Sequence, residues 1–504
     1  MLNNITLLEG VFVNYKNVME KYNDIMNLDY ALSLLNWDQS TCLTNNGVIA
    51  RANITETLSK IQHDLITSDE FYKELSDLER QDLKESEKEI ILKIKEDVEK
   101  ERKIPVRITC ELSRIISIAI DLWQKAKNNN NDKEFLPVLE KIFEIKKEIA
   151  GLLGYKENPY DALIDYYDEG LTFRSINPLF NLLKNELIEI IEYIDKSNNK
   201  INDEFLYFFY DREKQINFGL KILEDIGIVF DSFRQDESAH PFTTKLGNGD
   251  IRITTKIFEN NFKSGFFSTL HEGGHALYEI GVSNIFNESP FANIKSLSLH
   301  ESQSRFYENI VGRNKNFWHN YYPMLRSSFP EVLNNIKLDD FYNAINKVYK
   351  NPIRIESDEV TYNLHIILRT ILENKLINDK MKVSDINEAW NEETKAMFGF
   401  YPEDKSSGYL QDIHWASGLI GYFPTYSIGN LISAQILNKL KQEFNDVDNF
   451  NKENLNIIFN WFNNNLYRLG SKKNTMDVIK QITGEELNSK YFIEYIKNKY
   501  REIY

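Results

Sequence analysis

Leu270-His271-Glu272-Gly273-Gly274-His275-Ala276 sets two histidines four residues apart, with a glutamate directly after the first. Four residues are slightly more than one helical turn, so on a helix both imidazoles face one way and can close on a single ion. Neutral imidazole binds a borderline-soft ion such as Zn2+ at about 2.0–2.1 Å, and a catalytic zinc takes three protein ligands, leaving a fourth position for water. Such an ion acidifies that water, and a glutamate beside the first histidine can hold it, take its proton and pass it to a leaving amine. His271 and His275 are therefore expected as metal ligands, and Glu272 as general base.

The competing reading is an ordinary amphipathic helix with two surface histidines. Composition argues against it, because Gly273 and Gly274 would each cost such a helix roughly 0.8–1 kcal/mol relative to alanine. Something must need backbone close by, or a lack of bulk. A third ligand is also required, and Ser298-Leu299-His300-Glu301-Ser302-Gln303-Ser304 is the next stretch to offer one. His300 and Glu301 are both chemically able, and spacing does not choose between them.

Outward from this centre the periodicity is mostly helical. Apolar residues recur at spacings of three and four from about Asn14 to Leu35, around Ile54–His63, Leu112–Trp123 and Phe135–Leu153. Lysines between Lys84 and Lys103 are interleaved with glutamates, with Ile91, Ile94 and Val98 on one side, which reads as a solvated helix face. Asn128-Asn129-Asn130-Asn131-Asp132 reads as a loop between helices. Strand-like alternation is clearest in Asp250-Ile251-Arg252-Ile253-Thr254-Thr255-Lys256, after the turn Gly247-Asn248-Gly249. A strand just ahead of the metal-binding helix can offer its edge to an extended peptide, or merely prop up the helix.

The 504 residues, 42% hydrophobic and 27% charged, suffice for a large core, and length alone suggests two or three domains. No Pro-rich or Gly/Ser-rich linker marks a boundary, so residues 1–504 are read as one domain, with a helical N-terminal half of about 1–230 and a metal-binding half of about 231–504. A net charge of −16 repels phosphate backbones and anionic lipid, which argues against nucleic acid and membrane surfaces as partners. Only Cys42 and Cys110 are present, no run of about 18 apolar residues occurs, and Met1 to Gly10 lacks the pattern of a secretory leader. The expected location is a reducing cytoplasm.

Short motifs in order along the chain resemble those of the carboxypeptidase Taq family of metallocarboxypeptidases. They are His240-Pro241-Phe242, Asp250-Ile251-Arg252-Ile253-Thr254, His271-Glu272-Gly273-Gly274-His275, His300-Glu301-Ser302-Gln303, and Gly408-Tyr409-Leu410-Gln411-Asp412-Ile413-His414-Trp415. Ile353-Arg354-Ile355-Glu356-Ser357-Asp358 is similar to a sixth, with Ser357 where the family usually has alanine. Trp37-Asp38-Gln39 and Asn158-Pro159-Tyr160-Asp161-Ala162-Leu163 extend the likeness over nearly the whole chain, Ser40 standing where the family tends to have glutamate.

The resemblance implies a mainly α, gluzincin-like oligopeptidase fold, two helical halves flanking a deep groove, with a small β-sheet near the metal. It implies a cytoplasmic homodimer that hydrolyses the C-terminal peptide bond of peptides with broad specificity, using one divalent ion per chain, Zn2+ or Co2+. It makes Glu301, from a second helix, the third ligand beside His271 and His275, and Glu272 the base.

An enzyme that reads a chain end needs a fixed positive group, and the arginine fork meets a carboxylate with two hydrogen bonds. Arg354, inside a matched motif, is the first choice; the alternative is a surface ion pair with Asp358. Arg252 leans to a structural role. Related gluzincins place a histidine and a tyrosine after the zinc motifs, which assigns His414 to the substrate backbone and Tyr426 to the oxyanion, with Tyr422 as competitor and core packing as the bland alternative. His240 is expected to orient substrate or buttress the strand, His365 to be a hydrogen-bonded core residue, and His63 and His319 to be surface or interface groups. Two further functions use the same residues: an endo-acting oligopeptidase, and a catalytically silent peptide-binding scaffold with a structural metal. Retention of Glu272 argues against the scaffold, since a structural site has no use for a base.

Overall fold

The computed structural model describes residues 13–287 and 289–504; the opening residues, read above for a leader, lie outside them. Among the described residues the protein is mainly α, with one three-stranded sheet. Helices occupy Tyr15–Thr41, Val48–Ile66, Val106–Asn129 and Phe135–Leu153, around and beyond the periodic stretches, and Glu85–Arg102 buries Ile91, Ile94 and Val98 as its pattern requires. The asparagine run ends a helix, with Asn130 in the left-handed conformation at φ 49°. No described helix is long and apolar enough to cross a membrane.

Buried apolar side chains among the described residues fall into two clusters. The smaller joins Val18, Tyr22 and Ile25 to Leu75, Ile91 and Val98. The larger runs from Ile108 to Ile503 and takes residues from both sides of position 230, Leu206 and Ile222 packing with Phe266 and Leu270. The first helices thus form a satellite on the main body.

The sheet comprises β1 (Phe233–Glu237), β2 (Phe242–Lys245) and β3 (Ile251–Thr255), in the order β1-β3-β2. β3 pairs parallel with β1 and antiparallel with β2, with Thr243 opposite Ile253. Ile251, Ile253, Thr254 and Thr255 are all buried, as a central strand covered on both faces demands. The hairpin from β2 to β3 turns through Gly247 (φ 144°) and Gly249 (φ 81°), a backbone that side chains rarely permit. Arg252 stacks over the Trp37 ring at 4.5 Å and pairs with Asp250, which makes it the latch of the first helix onto the sheet.

Two helices cross beside this sheet. The histidine helix, Phe262–Phe286, is capped by the Asn261 side chain and buried on most sides. The glutamate helix, Leu297–Arg305, is capped by Ser296, and its Ser298 N–H donates at 2.8 Å to the buried carboxylate of Asp168. A six-residue π-helical segment, Phe306–Val311, follows directly. Glycines set the crossing: a Cβ on Gly274 would stand 2.4 Å from the Gln303 carbonyl oxygen, and one on Gly273 would stand 2.3 Å from Leu223 Cδ2. Backbone approach on one face and lack of room on the other are what the paired glycines supply.

Candidate active site

At the crossing, ligand atoms of His271, His275 and Glu301 lie within 4.8 Å of one another, the one such cluster among the described residues. Glu301 Oε2 is 3.8 Å from His271 Nε2 and 3.5 Å from His275 Nε2. A tetrahedral ion with ligand bonds of about 2.0–2.2 Å holds its ligand atoms on the order of 3.4 Å apart, so this donor set fits a divalent metal with little adjustment. Glu301, on the second helix, completes the cluster. The neighbouring His300 turns both ring nitrogens elsewhere, Nδ1 to His275 Nδ1 and Nε2 to Glu279 at 3.0 Å.

Each residue of the cluster is held from behind. His271 Nδ1 meets Glu308 Oε2 at 2.9 Å, from the π-helical segment. Glu301 Oε1 accepts from Arg305 Nε at 2.6 Å. Burial alone would raise the Glu301 carboxyl, but Arg305 and the two histidines reverse this and hold it well below the usual carboxylate range. Burial and the adjacent His300 push His275 down to about 3, so its imidazole is neutral, the form in which an imidazole can bind a metal. Glu272 is buried beside the cluster, and its Oε2 accepts from Thr243 Oγ1 on β2 at 2.7 Å. Burial pushes its carboxyl up, while His271 and Thr243 draw it back.

A second arc carries the remaining polar groups. His414 lies in the irregular stretch 399–423, and its Nε2 is 3.2 Å from the hydroxyl of Tyr426 in the first turn of helix Pro424–Glu443. Burial pushes His414 down to about 3. The Tyr422 ring stands 5.3 Å from that of Tyr426 and 5.2 Å from that of Tyr167. Gly429 of the same helix presses on the metal cluster, since a Cβ there would meet Glu301 Cγ at 2.7 Å.

Arg354 is buried, and its ion-pair partner is Asp412, not Asp358: Nη2 donates to Asp412 Oδ1 at 2.9 Å, and Nε to both carboxylate oxygens at 3.2 Å. Asp358 instead accepts from Tyr349 N, Val360 N and Thr361 N. Arg369 also pairs with Asp412, so two guanidinium groups share one carboxylate and one positive charge is left over. Arg354 Nη1 donates to Tyr362 Oη at 2.9 Å, and its guanidinium carbon lies 5.2 Å from the Tyr426 ring centre. His240 stands exposed ahead of β2 and joins neither arc.

A family model described as carboxypeptidase Taq (M32) metallopeptidase matches residues 17–500. The chain belongs to the carboxypeptidase Taq family. It is accordingly a metallocarboxypeptidase, a peptide hydrolase whose family uses a divalent metal ion. It is 36% identical over 493 residues to carboxypeptidase 1 of Bacillus subtilis, covering 97% of this chain and 98% of that one. To thermostable carboxypeptidase 1 of Pyrococcus furiosus it is 37% identical over 499 residues, covering 98% and 100%. The crystal structure of an M32 carboxypeptidase from Deinococcus radiodurans superposes with a TM-score of 0.94 at 32% identity, covering 97% of this chain and 99% of that one.

The two departures from the carboxypeptidase Taq pattern leave the metal cluster untouched. Ser357 bonds back to the Ile353 carbonyl at 3.0 Å, and Ser40 is exposed. His365 Nε2–H donates to the Asn351 carbonyl within the core at 3.1 Å, as its apolar surroundings require; His319 is exposed and His63 half-buried. Sequence reasoning missed Thr243, Glu279, Arg305 and Glu308. Three of them had a readable signal: Arg305 and Glu308 follow Glu301 by four and seven residues, and Glu279 follows His275 by four, the spacings that keep side chains on one helical face. Thr243 had none, because β-pairing brought it in. A cavity of about 450 Å³ between Lys315, Tyr342, Lys441 and Tyr495 contains none of these residues; here chemistry, and not enclosed volume, locates the site.

Proposed function

We propose that this carboxypeptidase removes C-terminal residues from short or unfolded peptides with broad specificity, Glu272 acting as general base. The observation that carries the reading is the buried Glu272 carboxylate, next in the chain to His271 and pinned by Thr243, beside three converging ligand atoms. A divalent ion held there, Zn2+ or alternatively Co2+, supplies a Lewis acid and makes the hydrolytic water acidic. Glu272 takes the proton of that water at a carboxylate oxygen as the new C–O bond forms and the carbonyl oxygen becomes an oxyanion, then delivers the proton to the amine nitrogen as the oxyanion collapses and the peptide C–N bond breaks.

The second arc supplies the other charges. Tyr426 donates a hydrogen bond from its hydroxyl to the oxyanion, with Tyr422 as the rival donor, and His414 holds the substrate backbone. Arg354 receives the terminal carboxylate, supported by the unbalanced positive charge of Arg354 and Arg369 around Asp412. Of the five N–H groups of a guanidinium, three of Arg354 are engaged by Asp412 and Tyr362, leaving two for a ligand. His240 lies at the approach to the edge strand β2, where it can orient an extended peptide. The working unit is the single domain 1–504, assembled as a homodimer in the cytoplasm.

Two measurements test this. Glu272→Gln should lower kcat by about 10²–10⁴-fold while the protein keeps its metal, and unchanged hydrolysis removes Glu272 from the mechanism. Amidation of a test peptide at its C-terminus should abolish cleavage; a peptide cut equally well with and without the free carboxylate defeats the role given to Arg354.

A further inference from the structure

The two histidine ligands are supported differently. Behind His271 stands a carboxylate, Glu308, in direct contact. Behind His275 stands another imidazole, and the chain of contacts continues. His300 Nδ1 faces His275 Nδ1, and His300 Nε2 is 3.0 Å from Glu279 Oε1. Lys245 Nζ, from β2, lies 3.8 Å from Glu279 Oε2. These three side chains are largely buried, exposed by 17%, 15% and 11% respectively. We infer that His300, Glu279 and Lys245 form a positioning relay that selects the metal-binding tautomer of His275. The inference rests on the reading that His275 is a ligand through Nε2.

Only one proton fits between two facing Nδ1 atoms. If it belonged to His300, a neutral His300 would turn a bare Nε2 toward the Glu279 carboxylate, setting two acceptors against each other. His275 would then carry its own proton on Nε2, the atom that faces Glu301, and could not bind an ion there. If instead it belongs to His275, every N–H finds an acceptor: His275 Nδ1–H donates to His300 Nδ1, and His300 Nε2–H donates to Glu279 Oε1. That arrangement leaves the His275 Nε2 lone pair facing Glu301. Lys245 keeps Glu279 an acceptor by balancing its charge, and Glu279 Oε2 has no hydrogen-bond partner that could serve instead.

The geometry also explains why this histidine precedes Glu301. Adjacent residues on one helix lie on either side of His275, one reaching the metal cluster and the other its far nitrogen, so a single helix supplies a ligand and orients its neighbour. Glu279 is one turn beyond His275 on the histidine helix, and Lys245 lies two residues from Thr243, on the same face of β2. One short strand thereby braces both the base and a ligand.

The test is equilibrium Zn2+ affinity, measured by competition with a chromophoric chelator, which needs no hydrolysis. His300→Leu should weaken Zn2+ binding by about 10–100-fold, and Glu279→Gln by about 10-fold. His300→Gln should recover most of the loss, because a carboxamide can accept from His275 and donate to Glu279. In the wild type, ¹⁵N spectra should show His275 protonated at Nδ1 and His300 at Nε2. Folded His300→Leu or Glu279→Gln protein that binds Zn2+ as tightly as the wild type overturns the relay, as does His300→Gln binding no better than His300→Leu. Should the leucine variant fail to fold, the nearly isosteric Glu279→Gln decides alone. Failure of the base role appears elsewhere, as undiminished hydrolysis by Glu272→Gln, and leaves these affinities unchanged.

Discussion

The two arcs around the candidate metal position are built in opposite ways. On the holding arc the polar atoms that face away from the cluster are answered: His271 Nδ1 by Glu308, His275 Nδ1 by His300, Glu301 Oε1 by Arg305. It stands on regular helices that touch backbone to backbone at Gly274. On the other arc His414 comes from an irregular stretch, its Nδ1 is buried without a hydrogen-bond partner, and its Nε2 meets only the Tyr426 hydroxyl. A buried polar atom left unpaired costs about 1–3 kcal/mol, which a fold tolerates where the group has work to do. Holding an ion calls for saturated side chains, while stabilising a transient charge calls for donors still free to give.

If that contrast is right, Tyr426→Phe should lower kcat by about 10²–10³-fold, the range for loss of one oxyanion donor, and leave Zn2+ affinity where it was. A variant that loses metal along with rate would merge the two arcs into one.

The acting arc has its own anchor. Glu373 accepts from Trp415 Nε1 at 2.7 Å, Gly421 N at 2.9 Å and Tyr160 Oη at 2.6 Å, tying the stretch around His414 to two helices. Burial pushes its carboxyl up to about 7. Between the ordinary glutamate value and that figure the folded state holds a proton that the unfolded state has lost, so stability falls as pH rises through this window. The fall is about 3 kcal/mol at most. Denaturant titrations across the window should show the slope in the wild type and a flatter profile in Glu373→Gln. Equal slopes would mean that the arc is not held by an ionising group.

Much of the holding arc was legible because helices write their faces into sequence. His271 and His275 at a separation of four, and the otherwise unfavourable Gly273-Gly274, pointed to a shared ion and a close neighbour before any fold was known, and the fold brings both histidines into one cluster at a close helix crossing. Choosing Glu301 over His300 was beyond spacing, since both sit on the same short helix; the family resemblance favours Glu301, and the crossing brings Glu301, not His300, to the cluster. The acting arc was legible only by resemblance. The alternative weighed for Arg354, an ion pair with Asp358, assumed helical spacing, but Arg354–Glu356 is a single short 3₁₀ turn, and the partner Asp412 lies 58 residues downstream. No local periodicity reports such a contact.

Gly274→Ala probes the holding arc with a smaller effect. Helix propensity favours alanine by roughly 0.8–1 kcal/mol. Against it, the new Cβ would stand 2.4 Å from Gln303 O and 2.7 Å from Ser304 Cα, backbone atoms that cannot rotate away. Overpacking of this kind costs about 1–3 kcal/mol, so the net change should be destabilising and should weaken Zn2+ binding by moving Glu301. A Gly274→Ala protein at least as stable as the wild type would mean that the crossing is looser than the backbone contact implies.

The smallest effect belongs to Tyr422→Phe, and it sharpens the acting arc by deciding which tyrosine serves the oxyanion. Tyr426 has its hydroxyl against His414 and its backbone in a regular helical turn, so its position is set. Tyr422 belongs to the irregular stretch, with its ring edge-on between Tyr167 and Tyr426, contacts that phenylalanine would keep. Removing its hydroxyl should therefore cost less than about tenfold in kcat, with kcat/KM falling no further. If Tyr422→Phe instead costs more than Tyr426→Phe, with both rate parameters falling together, the donor is Tyr422, and the hydroxyl that His414 holds is the one that orients it.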